Sequence, residues 1–421
     1  MTIHSAFAIC AAILLAFQGV ALARTARLDA ITISAAALRP SQLALLYVNI
    51  SYLLGALAFA NGAVLQPEYQ FVASRWGIAP LLVWAASSSL AVTVTNGRMG
   101  ITTNWHTNLA VGRGAALIIS LLLLLSAVGY ILSEFYFLLI LCTISATYLF
   151  CGRGSPPKIA VLSVVLVIVA LFPIASESKR LIIFPIVCMA ALKFSRKEIS
   201  KITLALVGAA SFALIVAYSV TRGYGGLEVR DLNSLYAATI NYARADYFLA
   251  GLGNNLEYTY FYFHGVNSIQ TFIDDGILVY GETFVKGLFL GLSRIGLEHE
   301  LRSSIEIYTH AYDFRFRGAG GSYPANYLSE IYLNTGLLSP LFMVAILTAL
   351  DYFSRFLAQA DKRLLGCCAS ISFVQICLIY FRGSSFDIFF LHLIFAVISI
   401  TVIAALTKLA SGRAPYISPL S

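Results

Sequence analysis

The sequence predicts an all-α polytopic membrane protein of about eleven transmembrane helices with one large, partly helical loop. Three observations predict it. Of 421 residues, 59% are hydrophobic and only 11% are charged, with a mean hydropathy of +0.83; that balance excludes a set of soluble domains. Apolar runs recur along nearly the whole chain, each close to the length needed to cross about 30 Å of hydrocarbon. Between the eighth and ninth runs lies the one long hydrophilic segment, 221–325. Backbone groups find no water in lipid, so the runs are read as helices.

In order, the runs are 3–23, 43–64, 78–95, 115–132, 135–150, 159–174, 181–194, 202–220, 326–350, 365–381 and 388–406. The first is preceded by MTIH, with no basic segment, and is read as an uncleaved span although ALARTA after it faintly resembles a cleavage site. The seventh is short and bounded by SESKR and KFSRKEISK, as a tilted or incomplete span would be. The ninth carries Gly336 and Pro340, which loosen or kink it. The chain therefore divides into spans one to eight (1–220), the large loop (221–325), and spans nine to eleven with a tail (326–421).

Alternating the spans across the membrane places most short-loop lysines and arginines, including Arg153, Lys158, Arg196, Lys197, Lys201 and Arg355, on one side. Arg75, Lys179, Arg180 and Arg382 fall on the other. Positive charge marks the cytoplasmic side, so the N-terminus and the large loop are expected outside and the C-terminus inside. The net charge of +8 is then a topology signal rather than a footprint for nucleic acid. The seven cysteines all sit in or at the ends of spans, as small apolar residues rather than a disulfide or metal set.

The loop holds eight basic and eleven acidic residues, with eleven tyrosines and eight phenylalanines. Disordered segments are poor in aromatics, so it is expected to fold into helices on the outer surface. ETFVKGLFLGLSRIG, 282–296, reads as an interfacial helix with Lys286 and Arg294 at the water boundary. The aromatics fit either a membrane-interface belt or a surface on which sugar rings stack.

Chemistry needs polar groups, and the spans hold almost none; only His392 lies well inside one. A single histidine there is more often a helix-to-helix contact than a relay, which weighs against an ion-coupled transporter. Three clusters remain. Lys179 and Arg180 stand at the lip of a helix, placed for a lipid headgroup or a lipid-linked phosphate. Arg222 opens a glycine-rich turn, SVTRGYGG, suited to an anion. The third cluster runs from YTHAYDFRFR, 308–317, through GAGGSYPANYLSEIYLNTG.

In a helix starting near Pro324, residues Asn326, Glu330 and Asn334 share one face, which must point into protein because a carboxylate facing acyl chains is costly. His310, Arg315 and Arg317 precede it across the mobile-looking GAGGS. Either these residues form a site, or Glu330 pairs with Arg315 or Arg317 to close the loop. EHE at 298–300 and DD at 274–275 lack the spacing of a metal site, and no GxSxG, P-loop or HExxH occurs.

The basic pair at 179–180, TRG at 221–223 opening the loop, and GGSYPANYLSEIYLNTG leading into a late span resemble the O-antigen polymerases, the Wzy-type oligosaccharide repeat-unit polymerases. The resemblance implies a GT-C-like, metal-independent glycosyltransferase without a cofactor in the bacterial inner membrane. It would join undecaprenyl-pyrophosphate-linked repeat units at the periplasmic face, building a surface glycan such as that of lipopolysaccharide, sometimes with a chain-length regulator as partner. By position, Lys179, Arg180 and Arg222 would bind pyrophosphate, and His310 with Arg315 to Arg317 would line the reaction centre, where Tyr323 and Asn326 would meet substrate. His310 or Glu330 would accept the acceptor's proton, His310 being favoured by its near-neutral ordinary pKa. The alternatives are an O-antigen ligase of the same architecture, a lipid-linked oligosaccharide flippase, and an export scaffold without chemistry.

Overall fold

The computed structural model describes residues 2–28, 36–61, 72–95, 110–171, 179–221, 236–237, 240, 257–293, 300–318, 322–360 and 364–410. Among these, all regular structure is helical. The helices are α1 (Ile3–Leu28), α2 (Pro40–Ala60), α3 (Ala79–Thr95), α4 (Arg113–Ser133), α5 (Tyr136–Cys151), α6 (Lys158–Leu171), α7 (Lys179–Ser195) and α8 (Lys201–Thr221). Four more fall in the long loop: α9 (Glu257–Asp274), α10 (Glu282–Ser293), α11 (Ser304–Tyr312) and α12 (Phe314–Gly318). Then follow α13 (Tyr327–Thr335), α14 (Ser339–Ala360), α15 (Leu364–Phe381) and α16 (Phe386–Ala410).

Each of the eleven apolar runs carries an α-helix over most of its described residues. By length and composition six stretches are able to cross a membrane, at Ile3–Arg27, Pro40–Ala60, Arg113–Ser133, Tyr327–Gln359, Leu364–Phe381 and Phe386–Ala410. The protein is thus a helical membrane protein; α3 and α5 are apolar but shorter.

The chain forms two compact units. The first comprises Met1–Gly100, Val216–Asp351 and Cys377–Leu391. Its core is aromatic. Among the rings of Phe7 on α1, Tyr52 on α2, Trp84 on α3 and Tyr262 on α9, five pairs lie 4.9–6.0 Å apart at ring centroids, three edge-on, one tilted and one, Phe7 on Trp84, stacked. Helix α9 was expected on the outer surface. Instead it packs along α2, with Phe261, Tyr262, Phe263, Val266 and Ile269 buried. Gly55 makes this close approach possible, because its missing side chain leaves room for the Tyr262 ring stem.

A polar seam joins the spans of this unit. Gln18 of α1 donates to both the backbone and side-chain oxygens of Gln42 at 3.1 Å, and Gln42 donates to Thr95 of α3 at 2.9 Å. The ninth run differs from expectation at its far end, since α14 continues to Ala360 and encloses Asp351. That carboxylate is buried and accepts from the Ser41 hydroxyl at 2.5 Å and amide at 2.9 Å, so His392 is not the sole ionisable group deep in a span.

The second unit comprises Ile101–Ile215, Tyr352–Ile376 and His392–Ser421. Helices α4, α5, α6 and α7 pack together there, with α4 touching α5 and α6, and α5 touching α7. Gln375 of α15 donates to Thr147 of α5 at 3.1 Å, and His392 stacks on Tyr136 at 5.2 Å, the interhelix role expected of it. Lys193 ties the turn after α5 by donating at 2.7 Å to the carbonyls of Gly152 and Gly154 and to Glu198. Six of the seven cysteines are buried and all are free thiols.

Candidate functional site

The late cluster is built on α13. Asn326 is the N-cap: its side-chain oxygen accepts from the Ser329 amide at 2.8 Å, satisfying a donor that the first turn leaves unpaired. The helix therefore starts at Tyr327, and Pro324 lies before the cap rather than in the first turn. The predicted stripe of Asn326, Glu330 and Asn334 does face inward, and all three are buried.

Each member of the stripe bonds a different piece of chain. The Asn326 amide donates to the Tyr52 hydroxyl at 3.2 Å. Glu330 accepts from the Tyr380 hydroxyl at 3.1 Å with one oxygen and from the Phe386 amide at 3.2 Å with the other. The Asn334 amide donates to Thr283 at 2.7 Å, while its oxygen accepts from the Gly281 amide at 3.0 Å. The alternative pairing of Glu330 with Arg315 or Arg317 does not form. Its partners are neutral donors from the corner between α15 and α16.

Arg317 pairs instead with Glu306, at 2.9 Å. Glu306 also completes a capping box with Ser303 at the start of α11, where each residue's side chain bonds the other's backbone amide. The Lys286 ammonium lies 2.5 Å from Glu306 and 3.8 Å from Asp387 of α16. Lys286 is thus only 13% exposed and turned inward, contrary to its expected place at the water boundary. On α10 Glu282 faces Arg302, whereas Lys286 turns to the carboxylates of Glu306 and Asp387. Arg294 and Arg222 lie outside the described residues.

Burial alone would raise the Glu306 carboxyl, but the hydrogen bond and charge of Lys286, with the Ser303 amide, hold it down at about 2. A depressed folded-state pKa contributes stability at pH values above the ordinary carboxylate range, lost as pH falls through that range toward the folded value. Acid titration of the native protein in detergent is therefore expected to lower its melting temperature from about pH 4.5 downward. Glu306→Gln should flatten that limb of the curve; an unchanged curve would remove Glu306 from the account.

Tyr323 is held by its amide, which donates to Thr309 at 2.8 Å, and by stacking on His264 at 5.0 Å. Sequence reading passed over His264. It is enclosed by Tyr260, Phe263, Tyr308 and Tyr312 as well, and burial pushes its pKa down to about 3. Asn267 donates to the Tyr308 hydroxyl at 2.9 Å, and the Tyr308 oxygen lies 2.9 Å from His264 Nδ1, so a neutral imidazole fits the network. The run YFYFHGVN, aromatic on every face, was the signal for a buried helix.

His310 stands apart from this interior. It is exposed, in the last turn of α11, with no bond to Glu330. Arg315 is exposed too, its guanidinium 5.9 Å from the Phe314 ring centre, and among the described residues it forms no ion pair. Family models, curated proteins and solved structures give no match to this chain. Lys179 and Arg180 open α7 in the second unit, and their side chains lie outside what is described.

The cluster therefore has two parts. A buried strip on α13 assembles the first unit, and an arm, α11–α12, is pinned by Glu306 and Tyr323 while presenting His310 and Arg315 to the outside. An exposed imidazole can take a proton, and an exposed guanidinium can receive an anion.

Proposed function

We propose that the chain is a glycosyltransferase of the Wzy type, which polymerises oligosaccharide repeat units carried on undecaprenyl pyrophosphate at the periplasmic face of the bacterial inner membrane. The observation that carries this reading is the pinned arm: His310 and Arg315 are exposed on a short helical element whose cap, ion pair and aromatic stack fix it, next in sequence to a membrane-embedded helix. Fixed donors of this kind stabilise charge without reorganising during the reaction.

In the proposed step, an acceptor sugar hydroxyl attacks the anomeric carbon of the lipid-linked glycan. The new C–O bond forms as the bond to pyrophosphate breaks, and the leaving diphosphate takes the electron pair. The hydroxyl proton passes to His310. Arg315 meets the charge developing on the diphosphate, with Arg222 as a further expected cation and Arg317 holding the arm through Glu306. Between the two candidate bases the exposed histidine is the better placed, since Glu330 is fully enclosed and already accepts two hydrogen bonds.

Purified protein supplied with a lipid-linked repeat unit in detergent should extend it into a ladder with no ion gradient, an outcome a flippase would not give. His310→Ala should slow extension by about 10²–10⁴-fold, and Arg315→Lys should not restore what Arg315→Ala removes. Exposed Arg302, replaced by alanine, serves as a control for nonspecific loss of charge. In cells lacking the protein, single-repeat lipid-linked units should accumulate. Long lipid-linked chains there would assign it as a ligase instead, and an unaltered glycan with His310→Ala and both Arg315 variants would leave it without chemistry.

A further inference from the structure

The joint between α13 and α14 carries a surface that the proposed reaction does not use. Gly336–Leu338 form a single 3₁₀ turn, entered through Gly336 at φ +56°. Leu337 is 86% exposed and Leu338 is also exposed. Beside them the turn after α9 presents Leu278 and Tyr280, the latter 84% exposed and itself in left-handed backbone at φ +47°. Val285 and Phe289, one helical turn apart on α10, continue the exposed apolar row.

We infer that Leu278, Tyr280, Leu337 and Leu338, with Val285 and Phe289, form a ledge seated in the membrane, inserted among the lipids of one leaflet. Two independent observations select lipid as the occupant. The first is continuity. On α14 the buried residues Met343, Leu347, Asp351 and Ser354 mark the protein side, and the exposed row runs through Leu341, Phe342, Tyr352, Phe353 and Phe356. That row is the side of a membrane-crossing stretch left uncovered by protein, and Leu337 and Leu338 prolong it, the polar Ser339 between them and Leu341 being buried; the turn exposes its acidic residues, Asp274 and Asp275, only before Leu278. At 22 residues α14 is about 33 Å long, enough to cross the hydrocarbon by itself, which puts the ledge at its edge.

The second observation is the backbone. A turn beside lipid is favoured when most of its amides are satisfied internally, and in 275–285 those of Leu278, Tyr280 and Thr283 are the exceptions. Here the amides of Asp275, Gly276 and Ile277 bond carbonyls of the last turns of α9, and the Val279 amide donates to Leu333 of α13 at 3.0 Å. The Gly281 amide donates to the Asn334 side chain, and those of Glu282, Phe284 and Val285 return to Val279 and Gly281. Tyrosine at the tip has an apolar ring and a hydroxyl that stays at the headgroups.

Tryptophan in place of Tyr280 and of Leu337, in protein reconstituted into phosphatidylcholine vesicles, tests the ledge. The emission that each substitution adds to native protein should be blue-shifted, lose most of its intensity in lipid brominated high on the acyl chains, and resist aqueous iodide. Leu341→Trp, one turn into the span, should show the same loss and calibrates it. Added emission quenched by iodide and untouched by brominated lipid, with Leu341→Trp behaving as expected, would overturn the proposal. The readout is independent of glycan synthesis, so it stands or falls apart from the proposed function.

Discussion

Glu330→Ala is expected to destabilise the protein by about 3–5 kcal/mol, the range for removing one partner of a buried, multiply bonded carboxylate. The Tyr380 hydroxyl and the Phe386 amide would both lose their acceptor inside a closed interior, and a small cavity would remain. Glu330→Gln keeps an oxygen for the Phe386 amide and offers an NH₂ to the Tyr380 oxygen, so its cost should be about 1 kcal/mol. Thermal unfolding in detergent, followed by intrinsic fluorescence, separates the two variants. If Glu330→Gln kept its melting temperature yet abolished glycan extension, Glu330 would be a proton acceptor after all. Parallel losses of stability and activity would keep it as the clamp between α13 and the α15–α16 corner.

The next largest effect is expected at Gly55→Ala. A methyl group there would overlap the Tyr262 Cβ, lie 2.8 Å from its Cγ, and come within 3.0 Å of the Tyr258 carbonyl. None of these is the free end of a flexible side chain, so α2 and α9 must move apart, at about 2–3 kcal/mol. Gly208→Ala in α8 meets nothing within 4 Å and should be neutral or stabilising through helix propensity alone. A Gly55→Ala protein melting at the native temperature would mean that α9 does not pack on α2 as described.

How far the sequence could be read depended on the range of each interaction. Apolar runs of helical length are local, and all eleven carry helices over most of their described residues. The inward face of Asn326, Glu330 and Asn334 was legible because fourfold spacing on a helix and the cost of a lipid-facing carboxylate suffice to place it. Their partners were not. Tyr380 and Phe386 lie 50 and 56 residues further on, and nothing in either neighbourhood signals a carboxylate. Nearest in sequence are the arginines of the arm, of which Arg317 pairs with Glu306 and Arg315 is exposed. The capping box at Ser303–Glu306 was written in S-x-x-E spacing and went unread, while the inward turn of Lys286 depended on Glu306, twenty residues on, and on the more distant Asp387. His264 was hidden by its setting, since aromatic density in an outer loop looks the same whether it faces a membrane, a sugar or a core.

The three-segment construction of the first unit has a consequence for biogenesis. Residues Cys377–Leu391 are the last part of it to leave the ribosome. Until they arrive, Glu330 has no tyrosine hydroxyl or amide to receive, and at about 5–20 residues per second the wait lasts several seconds. During that interval the carboxylate is kept by water, so α13 has to linger on the aqueous side while α14 is already threaded. Truncation before Tyr380 should therefore yield a protein that inserts but stays sensitive to protease around α13.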